Sequence, residues 1–287
     1  MTISVILTPI VGEAGDEHAL AAALAVGRQM GAHLRVLHVR VPPSAAVFAG
    51  APEGAMVTAE LLTLWENDVK ERAVRARARY DSWRGGSGLA EVAAPPARAE
   101  TSTSWVELEG QFDPSVARQG RVSDLIVLGA QNGTGDSTPF YACEGALFES
   151  GRPVLLVPAR APEGLLGTVL VAWNGSAEAA AAVGGALPLL SRAKRVHIFA
   201  AGERGDSGRE PSELVDYLAW HGIKTTTRVI NSTSHDVGAA LLKEVAEVGA
   251  GMLVMGAYTH SRTRQLIFGG ATSHVLRHAG VPVLMAH

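Results

Sequence analysis

At 287 residues the chain is long enough for two domains of ordinary size or one large α/β domain. A hydrophobic fraction of 47% against 18% charged residues excludes chain-wide disorder and collagen-like architecture, and 5% aromatics leaves too few rings for a base-stacking platform. The net charge is −3, from 25 basic and 28 acidic residues with neither sign in a long block, so no nucleic-acid footprint is evident.

The cations are 21 Arg and four Lys, a bias read as genomic. Cys143 is the lone cysteine and has no intramolecular disulfide partner. Neither a secretory pattern nor an apolar run of about 18 residues occurs, so no membrane partner and a cytoplasmic location are expected.

In chain order, strands are predicted near Val5 and at His33–Val39, Trp105–Leu108, Leu125–Leu128 and Val154–Val157. After the second, Val41–Val57 is rich in Pro and Gly, and Thr58–Arg84 reads as one long helix. Its stripe of Leu61, Trp65, Val69, Ala73, Ala76, Tyr80 and Trp83 follows steps of three and four, with Arg72, Arg75, Arg77 and Arg79 largely off that face. A helix over Pro139–Glu149 holds Cys143, read as a buried apolar thiol because no His or Lys lies near it in sequence.

Arg160–Gly167 reads as a linker. Strands then follow at Thr168–Trp173, Arg195–Ala200, Thr225–Ile230, Met252–Gly256 and Val281–Met285. Helices Ala177–Leu190, Ser212–Trp220, His235–Val248 and Gly270–His278 lie between them. Near-continuous apolar strands alternating with helices indicate parallel sheets covered on both faces.

The two parts repeat each other. Asp124–Ala130 (DLIVLGA) matches Gly251–Ala257 (GMLVMGA) at an offset of 127, and Pro153 matches Pro282 at 129. Aligning Val5–Leu7 with Val169–Val171 gives an offset of 164, which puts 37 extra residues in the first copy. The organisation expected is a first domain over residues 1–159 with a helical insertion at about 41–84, a linker over 160–167, and a second domain over 168–287.

In an open parallel sheet, ligands bind beyond the carboxyl ends of the strands where strand order reverses. In the second copy that directs attention to Trp173-Asn174-Gly175-Ser176 and to Gly256–Thr272, GAYTHSRTRQLIFGGAT. The latter leaves an apolar strand at a Gly, crosses a polar loop and reaches a Gly pair opening a helix. Free N–H groups at such a helix start can meet an anion.

Here the sequence resembles the universal stress protein family in its tandem, two-domain form. Nucleotide-binding members carry G-2X-G-9X-G-(S/T) after the fourth strand; this chain has Gly256, two residues, Thr259, nine residues, then Gly269-Gly270. VAWNGSAEA (Val171–Ala179) is similar to the family's first strand and turn, with Asn174 where those members have Asp, and HVLRHAGVPVLM (His274–Met285) to its last helix and strand. The resemblance covers about 280 residues and implies two flavodoxin-like, doubly wound, five-stranded parallel sheets related by a pseudo-twofold, with the last strands Val154–Val157 and Val281–Met285 meeting at the axis.

It further implies an ATP or other adenine-nucleotide site in the second domain. Trp173 and Asn174 would lie at the adenine and ribose, and Gly256, Thr259, Arg262, Gly269 and Gly270 at the phosphates. Thr259 adds a Cβ where the family has Gly, Gly270 removes a hydroxyl that Thr272 partly replaces, and Asn174 brings no charge. A vestigial loop on an intact fold is the other reading.

The first copy lacks the Gly pair after Gly129, and its first strand runs into Pro9-Ile10-Val11-Gly12, without a carboxylate or amide at the adenine-contacting place. It is expected to be a structural half of an intramolecular pseudo-dimer, with a further homodimer left open.

Bland readings are preferred elsewhere. His274 and His278 share a helix face but have no third ligand at a suitable interval, so no metal is expected. Ser176 reads as a helix N-cap, since no G-x-S-x-G surrounds it. Arg262 and Arg264 suit phosphate or a solvated loop equally. With no P-loop Lys or carboxylate pair, a regulatory nucleotide binder is expected rather than an enzyme. The alternatives are a nucleotide-free interaction protein acting through its dimer surface and long helix, and a weak ATPase for which His260 is the base candidate.

Overall fold

A computed structural model describes residues 2–42, 58–95, 100–129, 145–159, 164–201, 211–230, 237–257 and 270–287. The first half contains β1 (Val5–Ile10), α1 (Gly15–Met30), β2 (His33–Arg40), α2 (Ala59–Ser87), β3 (Ala90–Glu91), β4 (Ser102–Glu109), α3 (Phe112–Gly120), β5 (Leu125–Gly129), a π-helical turn (Gly145–Glu149) and β6 (Val154–Val157). The second contains β7 (Thr168–Trp173), α4 (Ala177–Leu190), β8 (Arg195–Ala201), α5 (Ser212–Trp220), β9 (Thr225–Ile230), α6 (Val237–Glu247), β10 (Met252–Gly256), α7 (Ala271–His278) and β11 (Val283–Ala286).

The strands form one 11-stranded sheet in the order β3-β4-β2-β1-β5-β6-β11-β10-β7-β8-β9. Each half is the doubly wound, parallel, flavodoxin-like arrangement. The two expected five-stranded sheets are present; the short β3 adds an edge strand to the first, and β6 and β11, expected to meet at the axis, pair antiparallel through Val154↔Met285, Leu155↔Leu284 and Leu156↔Val283. The last strands do meet at the pseudo-twofold, and their ladder joins the halves. Gly185 in α4 lets the first half approach, since a Cβ there would lie 3.0 Å from Pro153 Cβ.

Strand alternation explains the layers. Ile6, Leu125, Val127, Val169 and Val171 face one side with Ala19, Ala23 and Val26 of α1 and Ala182, Val183 and Ala186 of α4. Leu7, Ile126, Leu170, Leu253 and Met255 face the other with Val116 of α3, Leu241 and Val245 of α6 and Val275 of α7. Both apolar layers run through the two halves, so they share one core.

The sheet also corrects the repeat register. Ile6 pairs with Leu125 and Val169 with Met252, and Leu125 and Met252 are the repeat-equivalent residues. Ile6 therefore corresponds to Val169, an offset of 163 rather than 164, which leaves 36 extra residues rather than 37. The slip matters because one residue exchanges the faces of a strand; VIL against VLV cannot distinguish the two registers by hydrophobicity.

Those extra residues surround α2, which connects β2 to the following strands as α5 connects β8 to β9. Thr58 Oγ1 caps it by accepting from Leu61 N at 3.3 Å, and Gly88 ends it at φ 68°. Ala76 and Tyr80 are its buried residues, packed with Ile10, Leu20, Val36, Trp83 and Trp105, while the rest of the expected stripe is half-buried. Arg77 pairs with Asp81 through two hydrogen bonds of 2.9 and 3.0 Å on the outer side.

Several boundaries differ from expectation. β4 starts at Ser102 rather than Trp105 because the polar TSTS run pairs with β2 from His33 onward. β11 starts at Val283 rather than Val281; Pro282 has no N–H, though its carbonyl accepts from Leu253 N at 2.9 Å. α6 is described from Val237, and His235 lies outside the described residues, as do Cys143 and most of the helix expected there.

Candidate functional site

β7 and β10 are neighbours whose connections leave in opposite directions across the sheet, so the crevice between their carboxyl ends is a switch point. Trp173, Asn174, Gly256 and Thr272 come together there in one cleft with Ala172, Phe199, Val237, Met255 and Ala271. Gly270 stands beside it as the N-cap of α7. Thr259, Arg262 and Gly269, and with them Arg264 and His260, lie outside the described residues.

Local chemistry shapes each wall. Asn174 Oδ1 accepts from Ser176 N at 3.2 Å, and Ser176 Oγ accepts from Ala179 N at 3.1 Å, so an Asx turn leads into a capped α4. Gly175 permits that turn with φ 72°. Ser176 is thus the expected N-cap. The amide nitrogen of Asn174 makes no hydrogen bond to the described residues and can donate into the cleft.

Gly256 is a glycine for packing. A Cβ there would lie 2.5 Å from Ala179 N and 2.7 Å from Glu178 C, so the residue allows β10 to reach the start of α4. Gly270 is a glycine for conformation: φ 108° and ψ −178° would strain the Ser or Thr of the family pattern, and no described atom lies within 4 Å of a Cβ placed there. Among the described residues no side chain caps α7, so its first N–H groups have no acceptor there.

α6 is drawn against α7 because Gly238 faces it, where a Cβ would be 2.9 Å from His274 Cβ. That approach carries Val237 into the cleft. Phe199 and Val237 are apolar walls that motif spacing does not reveal, since they come from β8 and α6. Trp173 Nε1 is buried without a hydrogen-bond partner among the described residues.

The corresponding turn in the first half is engaged by the molecule's own groups. Gly12 occupies the position of Gly175, with φ 88°. Asp16 Oδ2 accepts from Gly12 N at 2.7 Å and Glu13 N at 2.9 Å, and Oδ1 from Val11 N at 3.2 Å. Burial nevertheless raises the Asp16 pKa, against the lowering effect of those N–H groups and Arg79. α2 covers the same loop: a Cβ on Gly12 would lie 2.7 Å from Arg72 O. The sequence reading found no carboxylate here, but Asp16 reaches back from α1. Its only sequence signal, an acid in a first helical turn, equally suits the helix dipole.

The His274 and His278 rings lie 4.5 Å apart, and His278 Nδ1 contacts His274 O at 2.8 Å. Among the described residues, no three His, Cys, Asp or Glu gather as a metal would require. No helix among them is long and apolar enough to cross a membrane.

A doubly wound tandem fold with a cleft at the second switch point defines the class. Residues 166–287 match the model of the universal stress protein family, and this half is a universal stress protein domain; the first half repeats its fold, giving the tandem arrangement. A universal stress protein from Archaeoglobus fulgidus superposes with TM-score 0.72 at 17% identity, covering 98% of this chain and 97% of that one. A protein of unknown function from Pseudomonas aeruginosa gives 0.54 at 15% identity, covering 98% and 92%. A second P. aeruginosa protein, a putative universal stress protein by its description, gives 0.52 at 15% identity with the same coverage. At these identities the likeness is one of fold. No curated protein matches the chain.

Proposed function

We propose that the second domain binds ATP or another adenine nucleotide in the cleft between β7 and β10, and that binding regulates rather than drives turnover. The observation that carries this reading is the convergence of Trp173, Asn174, Gly256 and Thr272 at a switch point beside the start of α7, which no described side chain caps. Trp173 and Phe199 offer apolar surface to a base, Asn174 a neutral amide to a ribose or base edge, and α7 its N–H groups to phosphate.

Calorimetric titration with ATP, ADP and AMP tests the proposal. Saturable heat is expected, and Thr272→Tyr should abolish it while leaving the circular dichroism spectrum unchanged. Absence of heat and of any thermal shift at millimolar nucleotide would overturn the reading.

The second reading, a nucleotide-free interaction protein, is favoured by one observation: Trp220 on α5 is 90% exposed. Self-association that Trp220→Ser removes, with no nucleotide heat, would select it.

A further inference from the structure

On the side of the sheet covered by α3 and α6, the two halves treat one position differently. In the second half, buried Glu244 of α6 receives His197 Nε2 at 2.9 Å and Arg228 Nη1 at 2.6 Å, while His197 Nδ1 meets Thr226 Oγ1 at 2.7 Å. Imidazole and guanidinium meet on one carboxylate, and the hydroxyl holds the far side of the imidazole.

The register identifies the equivalents in the first half. Leu34 pairs with Ile6 as Val196 pairs with Val169, so Arg35 stands where His197 stands. Thr103 pairs with Leu34 as Thr225 pairs with Val196, so Ser104 stands for Thr226. At the distance of Glu244 before its following strand, α3 has Ala117. A guanidinium replaces the imidazole, the hydroxyl remains, Val106 stands for Arg228, and the carboxylate is gone.

The first half has a broad cleft here. Arg35, His33, Ser102 and Ser104 line it with apolar Met30 and Val106. His33 Nδ1 lies 3.0 Å from Ser102 Oγ and Nε2 2.9 Å from Ser104 Oγ. A neutral imidazole accepts at one nitrogen and donates at the other, so one of these hydroxyls keeps its own proton for a further acceptor. Burial and the nearby Arg35 charge hold His33 towards that neutral form. Arg35 itself is half-buried and has no ion pair or hydrogen bond among the described residues, although guanidinium groups in such surroundings ordinarily find a carboxylate.

We infer that this cleft binds a small monocarboxylate with an apolar body, whose carboxylate takes at Arg35 the part that Glu244 plays towards His197 in the other half, with the serine hydroxyls as further donors. The charge balance selects a monoanion. Arg35 is the one cation among the described lining residues, and Glu100 at the rim opposes a polyphosphate. The site is remote from the nucleotide cleft and independent of that proposal.

The test uses 4-phenylbutyrate and its neutral amide, followed by amide and side-chain NMR shifts in the full chain. Saturable shifts at His33, Arg35 and Ser104 are expected with the acid, with affinity at least tenfold weaker for the amide. Arg35→Met should weaken the acid at least tenfold while the remaining spectrum stays folded, and Ser104→Ala should weaken it severalfold. Equal binding of acid and amide, affinity for Arg35→Met within twofold of the parent, or no saturable shift at these residues would overturn the inference.

Discussion

Asp16 Oδ2 accepts the backbone N–H of Gly12 at 2.7 Å, and so the first half of the molecule fills with its own carboxylate the turn that the second half leaves facing a cleft. Three N–H groups depend on that side chain. Asp16→Ala should cost about 1–3 kcal/mol, the range for leaving buried donors without an acceptor. The lower end is favoured because burial opposes ionisation of Asp16. Urea unfolding monitored by tryptophan fluorescence measures the loss, and an unchanged midpoint would remove Asp16 from the account of this turn.

Gly256 and Gly270 predict different failures. Gly256→Ala drives a Cβ to 2.5 Å from Ala179 N and must move β10 or α4, so a loss of about 1–3 kcal/mol is expected. Gly270→Ala meets no neighbour but holds φ at 108°, so a smaller loss of about 1 kcal/mol should appear as fraying of α7. Hydrogen exchange separates them: faster exchange should extend into β10 for the first and remain near α7 for the second.

Glu244 is 3% exposed and holds both His197 and Arg228. Glu244→Ala is expected to destabilise by about 2–4 kcal/mol, somewhat less than a fully buried pair because Arg228 can return to water. In a double-mutant cycle with Arg228→Ala the two losses should fall short of additivity. Strict additivity would show that the ion pair contributes nothing.

The pH dependence of stability has a defined sign at His33. Its folded pKa lies below the ordinary 6.5, chiefly through burial. The stability it contributes is therefore present above 6.5 and lost as pH falls through the folded value, because protonation favours the unfolded chain. The urea midpoint should drop between neutral pH and about pH 5, and His33→Asn should flatten that drop. A parallel profile in the variant would assign the dependence to other groups.

The second-half motifs were legible because they are local. Ala177–Leu190 and Ser212–Trp220 agree with the helices read from periodicity and caps, and Thr168–Trp173, Thr225–Ile230 and Met252–Gly256 with the strands. Trp173, Asn174, Gly256 and Thr272 could be nominated because the switch-point rule directs attention to strand ends. Phe199 and Val237 escaped notice because their parent elements approach the cleft only after the sheet is assembled. Asp16 escaped for the same reason: its reach back to Val11–Glu13 depends on the angle between β1 and α1.

By itself, the sequence determined that two copies of one α/β unit follow each other and where most of their strands and helices run. Hydrophobic period, caps and repeated blocks are properties of neighbouring residues, so they survive without a third dimension. Only the tertiary structure decided that β6 and β11 join the halves into one sheet, that the first strands align at 163, and that Arg35 lacks the carboxylate that Glu244 supplies to its counterpart. Each of these is a pairing between distant segments, settled by which faces become buried together and which charges find a partner when they do.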